Sequence, residues 1–165
     1  MPVMPSVDLG GGVSMPMVGF GTWQLRGRQG YDAIRYALQA GYRHIDTATM
    51  YRNEAEVGRA VRDSGLARDE VFITTKLLPG DAGRERAALE ASLRALGTSY
   101  ADLWLVHWPP RSLVPVWREF AVLQHGWSFQ AASPQCPRQC ASDVPAQRSR
   151  GHCERCEDGN RCRRY

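Results

Sequence analysis

Four side chains stand out by type and spacing: Asp46, Tyr51, Lys76 and His107. A carboxylate, a phenol, an ammonium and an imidazole are groups that hold or move protons, the material of acid–base chemistry. Asp46, Lys76 and His107 each stand at the end of an expected strand, at intervals of 30 and 31 residues, and Tyr51 follows Asp46 by five. Lys76 is the only lysine; the other twenty basic residues are arginine. A compact ammonium has a pKa that its surroundings can move, whereas a guanidinium stays charged. Each residue also has a plain structural reading. Asp46 and Lys76 can be a partly buried ion pair, Tyr51 a packed loop residue, and His107 a strand cap. A solitary Lys can follow from an Arg-biased composition.

The elements that position these groups read as repeats of one unit. Residues 7–9 and 13–18 flank Gly10, Gly11 and Gly12, which suits a hairpin whose turn takes positive φ. A strand over 17–21 precedes a helix over 31–40 with Ile34, Ala37 and Leu38 on one face, stopped by Gly41. A strand over 42–45 leads to a helix over 53–64. A strand over 71–75 leads to a helix over 82–96, with Asp81 as N-cap and Leu89, Leu93 and Leu96 as its apolar stripe. A strand over 101–106 precedes a helix that starts near Val114 and carries Val116, Phe120 and Leu123. Alternation of this kind predicts an α/β fold with a parallel sheet and crossover helices, four βα units after a hairpin. Spacing alone also fits a doubly wound sheet. In a β/α barrel, functional groups gather where strands end. Neighbouring strands lie about 4.8 Å apart, so these four side chains can share one mouth.

Composition changes after Leu123. Residues 125–165 hold no Leu, Ile or Met, and all five cysteines (Cys136, Cys140, Cys153, Cys156, Cys162) lie there. That stretch carries seven Arg against four acids, so most of the formal net charge of +4 comes from it. The basic balance is therefore not a nucleic-acid signal. The expected organisation is a folded domain over 1–123 and a disordered Arg/Cys/Pro-rich tail over 124–165, which buries too little apolar surface to offset its ordering entropy. No basic, apolar leader opens the chain and no run reaches the ~20 apolar residues of a membrane span. With no cysteine in the first 124 residues, the expectation is a soluble, cytoplasmic protein.

The stretch GYRHIDTATMYRNEAEVG (41–58) closely resembles the N-terminal signature of the aldo-keto reductases. GFGTW (19–23), ITTKL (73–77) and DLWLVHWP (102–109) resemble that family's first-, third- and fourth-strand motifs, in order and at the right spacing. The style is closest to bacterial members that reduce small carbonyls, of the diketogluconate reductase type. The resemblance implies a partial TIM (β/α)8 barrel and NADPH-dependent reduction of an aldehyde or ketone to an alcohol. It implies that Tyr51 is the general acid, with Lys76 favouring its phenolate and Asp46 holding Lys76. His107 would orient the carbonyl oxygen. Thr22, Asp46 and Lys76 would touch the cofactor, and Trp23 and Trp108 would wall the substrate pocket.

A full (β/α)8 barrel typically needs ~250 residues, and this chain has 165. The family's later motifs, which supply most of the cofactor site, are not recognisable after Leu123. The abrupt change inside a helix suggests a shifted reading frame or gene break. Reading the coding DNA after Leu123 in its other two frames tests that. If the first and fourth strands are open edges, two copies can pair through them. Two further functions compete: an inactive family fragment, and a zinc-binding tail built on Cys136, Cys140, Cys153 and Cys156. No metal is assigned to the four-residue site itself.

Overall fold

The fold is that of a computed structural model, which describes residues 4–126 and 130–132. It opens with an antiparallel hairpin, β1 (Ser6–Asp8) and β2 (Ser14–Pro16). Gly10, Gly11 and Gly12 all take positive φ in its turn, as the sequence predicts. The repeat follows: β3 (Phe20–Gly21), α1 (Gly27–Gln39), β4 (His44–Asp46), α2 (Glu54–Asp63), β5 (Phe72–Leu77), α3 (Glu85–Leu96), β6 (Leu103–Val106), α4 (Leu113–Gly126) and β7 (Gln130–Ala132).

Strands β3 to β7 form one parallel sheet in sequential order. A doubly wound sheet reverses its strand order at a switch point. No reversal occurs here, so the chain is a partial (β/α) barrel. The register places Gly21 beside Asp46, Asp46 beside Thr74, and Lys76 beside Leu105.

Two apolar clusters fill the space between sheet and helices. One joins Ile34 and Leu38 of α1, Val57 and Val61 of α2, Leu96 of α3, and Ile45 and Ile73 of the sheet. The other joins Leu89 and Leu93 of α3, Val116, Phe120 and Leu123 of α4, and Leu77, Trp104 and Val106 of the sheet. Trp104 and Phe120 stack with ring centroids 4.0 Å apart. Fully burying such a side chain contributes roughly 1.5–3 kcal/mol. Ile45, Ile73 and Leu77 thus face the helices. With a side-chain period of two, Asp46 and Lys76 must face the other way.

Three readings change. The third helix starts at Glu85, with Arg84 rather than Asp81 before it. Gly83, at φ +86°, takes a left-handed conformation that no α-helix continues through, and residues Pro79–Asp81 form a separate 3-10 turn. The ordered chain also continues past Leu123: α4 runs to Gly126, and β7 pairs in parallel with β6. The fourth strand of the barrel is therefore not an open edge. Among the described residues β3 and β7 are the outer strands. A three-residue strand, Gln-Ala-Ala, has no apolar alternation to announce it, and forms where β6 offers an unpaired ladder. The five cysteines, and with them the candidate zinc tail, lie outside the described residues. No helix among the described residues is long and apolar enough to cross a membrane.

Candidate active site

Asp46 is the last residue of β4, Lys76 the penultimate residue of β5, and His107 follows β6 directly. His107 is held there by its own backbone N–H, which donates to the Leu77 carbonyl at 2.9 Å. Tyr51 ends a 3-10 turn, Thr49–Tyr51, in the loop after β4. The structure brings all four together. The Lys76 ammonium donates to Asp46 Oδ1 at 2.6 Å, to the Thr47 carbonyl at 3.0 Å and to the Tyr51 hydroxyl at 3.4 Å. All three ammonium protons therefore have acceptors. The Tyr51 and His107 rings meet edge to face with centroids 5.6 Å apart.

The ion pair is neither fully buried nor free. Lys76 keeps 13% of its side chain exposed and Asp46 33%. The lysine is thus largely taken out of water, while part of the carboxylate stays accessible from the mouth.

His107 is a weaker base than an ordinary histidine. Burial lowers its pKa first, repulsion from the Lys76 ammonium lowers it further, and Asp46 opposes the shift in part. Its Nδ1 is buried with no partner among the described residues. An unmet buried N–H is more costly than an unmet acceptor. The neutral ring therefore carries its proton on Nε2, where it is available as a hydrogen-bond donor.

The other expected residues are placed as follows. Thr22 is fully buried and its hydroxyl donates to the Asp46 carbonyl at 3.0 Å. That hydroxyl ties the ends of β3 and β4 together. Trp23 lies on the loop after β3 and is 62% exposed; Trp108 is 45% exposed and packs edge to face on His107 at 4.7 Å. Met50, on the 3-10 turn, is also exposed. These three put apolar surface at the same strand ends as the polar cluster.

Supporting residues went unread in the sequence. Asn53 is fully buried. Its amide donates to the carbonyls of Thr22 and Leu25, both at 2.7 Å, and accepts from the Thr47 hydroxyl at 2.8 Å. It fastens the Trp23 loop to the loop that carries Tyr51. Each loop contains a non-glycine residue of positive φ, Gln24 at 65° and Arg52 at 56°, directly after Trp23 and Tyr51. Such conformations cost on the order of 1–3 kcal/mol each and persist where the surroundings enforce them. A second polar group, Glu54, Thr75 and Ser92, is buried among the helices behind Lys76. Its signal was present in the pattern: each occupies a position where the apolar alternation of its strand or helix calls for a hydrophobic residue.

The family model described as the aldo/keto reductase family matches residues 17–130. Aldehyde reductase YPR1 of Saccharomyces cerevisiae is 52% identical over 104 residues, covering 63% of this chain and 33% of that protein. Methylglyoxal reductase DkgA of Yersinia pestis is 44% identical over 127 residues, covering 75% of this chain and 46% of its own. This chain thus spans less than half the length of these curated relatives. Among solved structures, an aldo/keto reductase from Brucella melitensis superposes with a TM-score of 0.75 at 41% identity, covering 79% of this chain and 54% of that one. An aldo-keto reductase from Bombyx mori, solved in complex with NADP, gives 0.68 at 30% identity, covering 79% and 51%. Sequence, strand order and the meeting of Asp46, Tyr51, Lys76 and His107 at one mouth lead to the same place: the chain belongs to the aldo/keto reductase family.

Proposed function

We propose that this chain carries the acid–base centre of a carbonyl reductase that converts an aldehyde or ketone to an alcohol with NADPH as reductant. The observation that carries this reading is the Lys76 ammonium lying between the Asp46 carboxylate and the Tyr51 hydroxyl. Tyr51 holds the transferable proton at its hydroxyl. A cation beside a phenol stabilises the phenolate that proton loss leaves behind. Asp46 holds that cation in place. His107, neutral and with Nε2–H as donor, orients and polarises the carbonyl oxygen that receives the Tyr51 proton. Trp23, Met50 and Trp108 supply apolar surface for the rest of the substrate and exclude water around the carbonyl.

The residues at the mouth suit one end of a nicotinamide cofactor. The partly exposed Asp46 carboxylate is an acceptor for a ribose hydroxyl, and Lys76 lies beside it. Thr22 contributes by fixing the Asp46 backbone. When bound, the reduced nicotinamide supplies the hydride that goes to the carbonyl carbon. NADPH is favoured by the Bombyx mori relative's complex with NADP and by the name of a yeast relative, glycerol 2-dehydrogenase (NADP(+)), 49% identical over 105 residues. A small carbonyl substrate is favoured by the name of the Yersinia pestis relative. The absence of cysteine before Cys136 favours a reducing compartment, and we place the protein in the cytoplasm without a nucleic-acid or membrane partner. Self-association through the outer strands belongs to the same proposal.

The test follows NADPH absorbance on addition of methylglyoxal, with Tyr51→Phe in parallel. The expected result is a fall in turnover of about 10²–10⁴-fold in the variant. Equal, measurable rates in the two proteins would reject Tyr51 as the proton donor, and no consumption in either would make this chain a non-catalytic member of its family.

A further inference from the structure

Asn53 stands at the N-cap of α2, where an asparagine side chain ordinarily accepts from an N–H of the first helical turn. This one makes no such bond. Both of its amide protons point elsewhere, to the carbonyls of Thr22 and Leu25, each at 2.7 Å. Those two residues bracket Trp23. The amide oxygen accepts from the Thr47 hydroxyl at 2.8 Å. Thr47 and Asn53 themselves bracket Tyr51. The Thr47 N–H is tied to the sheet through the Thr74 carbonyl at 2.9 Å, and the Thr47 carbonyl accepts from the Lys76 ammonium at 3.0 Å. A single buried amide thus joins the turn that carries Trp23 to the loop that carries Tyr51 and to an acceptor of Lys76.

The partners account for the residue type. A buried polar group is costly unless its hydrogen bonds are made, and here two donors and one acceptor are all used. Exchanging the nitrogen and oxygen would set the oxygen against two carbonyls, so the amide has one orientation. A carboxylate of the same shape has no proton for either carbonyl. The backbone on both sides is strained, with Gln24 at φ 65° and Arg52 at φ 56°. Such conformations persist where the surroundings enforce them. Gln24 lies between the two carbonyls that Asn53 holds, and Arg52 directly precedes Asn53. Trp23, 62% exposed, has little packing of its own to fix it. The placement of the Trp23 wall relative to the Tyr51 hydroxyl therefore depends on this amide.

We infer that Asn53 is a positioning residue that determines specificity: its amide holds Trp23 and Tyr51 in one frame and so limits the size of the group carried by the reacting carbonyl. The inference rests on the acid–base reading of the site. It adds to that reading the control of substrate size, placed in the buried layer beneath the mouth.

The full chain is labelled with fluorotryptophan and, separately, with fluorotyrosine for fluorine NMR. Trp23→Phe, Trp104→Phe and Tyr51→Phe assign the three lines that matter. Asn53→Asp keeps the acceptor for Thr47 and loses both donors, so it should displace the Trp23 line by more than the Tyr51 line. Thr47→Val removes the bond at the other end of the amide and should displace the Tyr51 line by more than the Trp23 line. The Trp104 line, from the apolar cluster of α3 and α4, should stay in place in both variants, which a general loosening of the fold would not allow. In turnover with NADPH the wild type should prefer methylglyoxal to benzaldehyde, and Asn53→Asp should narrow that preference in kcat/KM about tenfold, the worth of one or two net hydrogen bonds. If Asn53→Asp does not fold, the lines of Thr47→Val decide alone. Lines that do not follow this order, a Trp104 line that moves with them, or, in a chain that consumes NADPH, no preference for the smaller carbonyl or one that Asn53→Asp fails to narrow, overturns the inference. A chain that consumes no NADPH yet shows this order of lines loses the catalytic reading and keeps Asn53 as the residue that positions Trp23 against Tyr51.

Discussion

Two titratable side chains, His107 at the mouth and Glu54 buried behind it, shift in opposite directions, and both shifts link folding to pH. Glu54 has its pKa raised, chiefly by burial, with the Thr75 and Ser92 hydrogen bonds opposing. Its contribution to stability is fully present below the ordinary carboxylate value of ~4.3 and is lost as pH rises through the raised folded value. In urea unfolding followed across pH, Glu54→Gln should gain on the wild type over that interval, because an amide has no proton to lose. A stability difference that stays flat with pH would show that Glu54 titrates alike in both states. His107 has its pKa lowered, first by burial and then by Lys76, so the folded chain binds its proton less tightly than the unfolded chain does. Its contribution is present above ~6.5 and is lost as pH falls through the lowered folded value. His107→Gln should remove that part of the acid-side loss. If acid titration leaves the two proteins parallel through this window, His107 is not the group responsible.

At the scale of elements, the fold depends on how closely α2 approaches α3. Gly58 sits one turn after Glu54, and a Cβ built there would overlap the Leu96 carbonyl. The missing side chain lets the two helices close. Gly58→Ala should therefore cost about 1–3 kcal/mol in urea unfolding, as overpacking does. A change within about 0.5 kcal/mol, the range of ordinary surface substitutions, would mean the helices separate freely. The elements themselves were largely readable. Residues 41–58 combine a strand, a turn and an amphipathic helix whose buried positions Val57, Ala60 and Val61 follow the expected spacing. Lys76 and His107 could be placed at strand ends because each closes a run rich in apolar and β-branched residues, and Asp46 by its 30-residue spacing from Lys76. What stayed hidden were relations between distant residues. Asn53 joins two loops through three hydrogen bonds, and Ser92 and Thr49 meet across 43 positions of sequence. No local pattern encodes such pairings. The expected cap at Asp81 failed for a local reason instead, the left-handed backbone of Gly83.

Over the molecule as a whole, the feature that matters is the pair of outer strands of the sheet among the described residues. A closed barrel of this class uses eight parallel strands and leaves no edge. The described residues supply five, with β3 and β7 outermost. The β1–β2 hairpin is tied to the sheet from one end, where the Pro16 carbonyl lies 3.0 Å from His44 Nδ1, and does not pair with either edge. The Thr22 N–H donates to Asp46 across to β4, so along an extended strand the N–H of Gly21 points away from β4, toward the open side. An unpaired edge of this kind is a template for another chain. The expected outcome is self-association: in sedimentation equilibrium the weight-average mass should rise above the chain mass of 18.5 kDa with concentration. Gly21→Lys tests the route. A Cβ at Gly21 meets nothing within 4 Å, so the side chain can be accommodated, while a charge on a short edge strand opposes pairing. That variant should stay nearer the single-chain mass at concentrations where the wild type associates. A wild type that remains at the single-chain mass throughout would remove the edges as an association surface. Equal association of the two proteins would move the contact elsewhere on the chain.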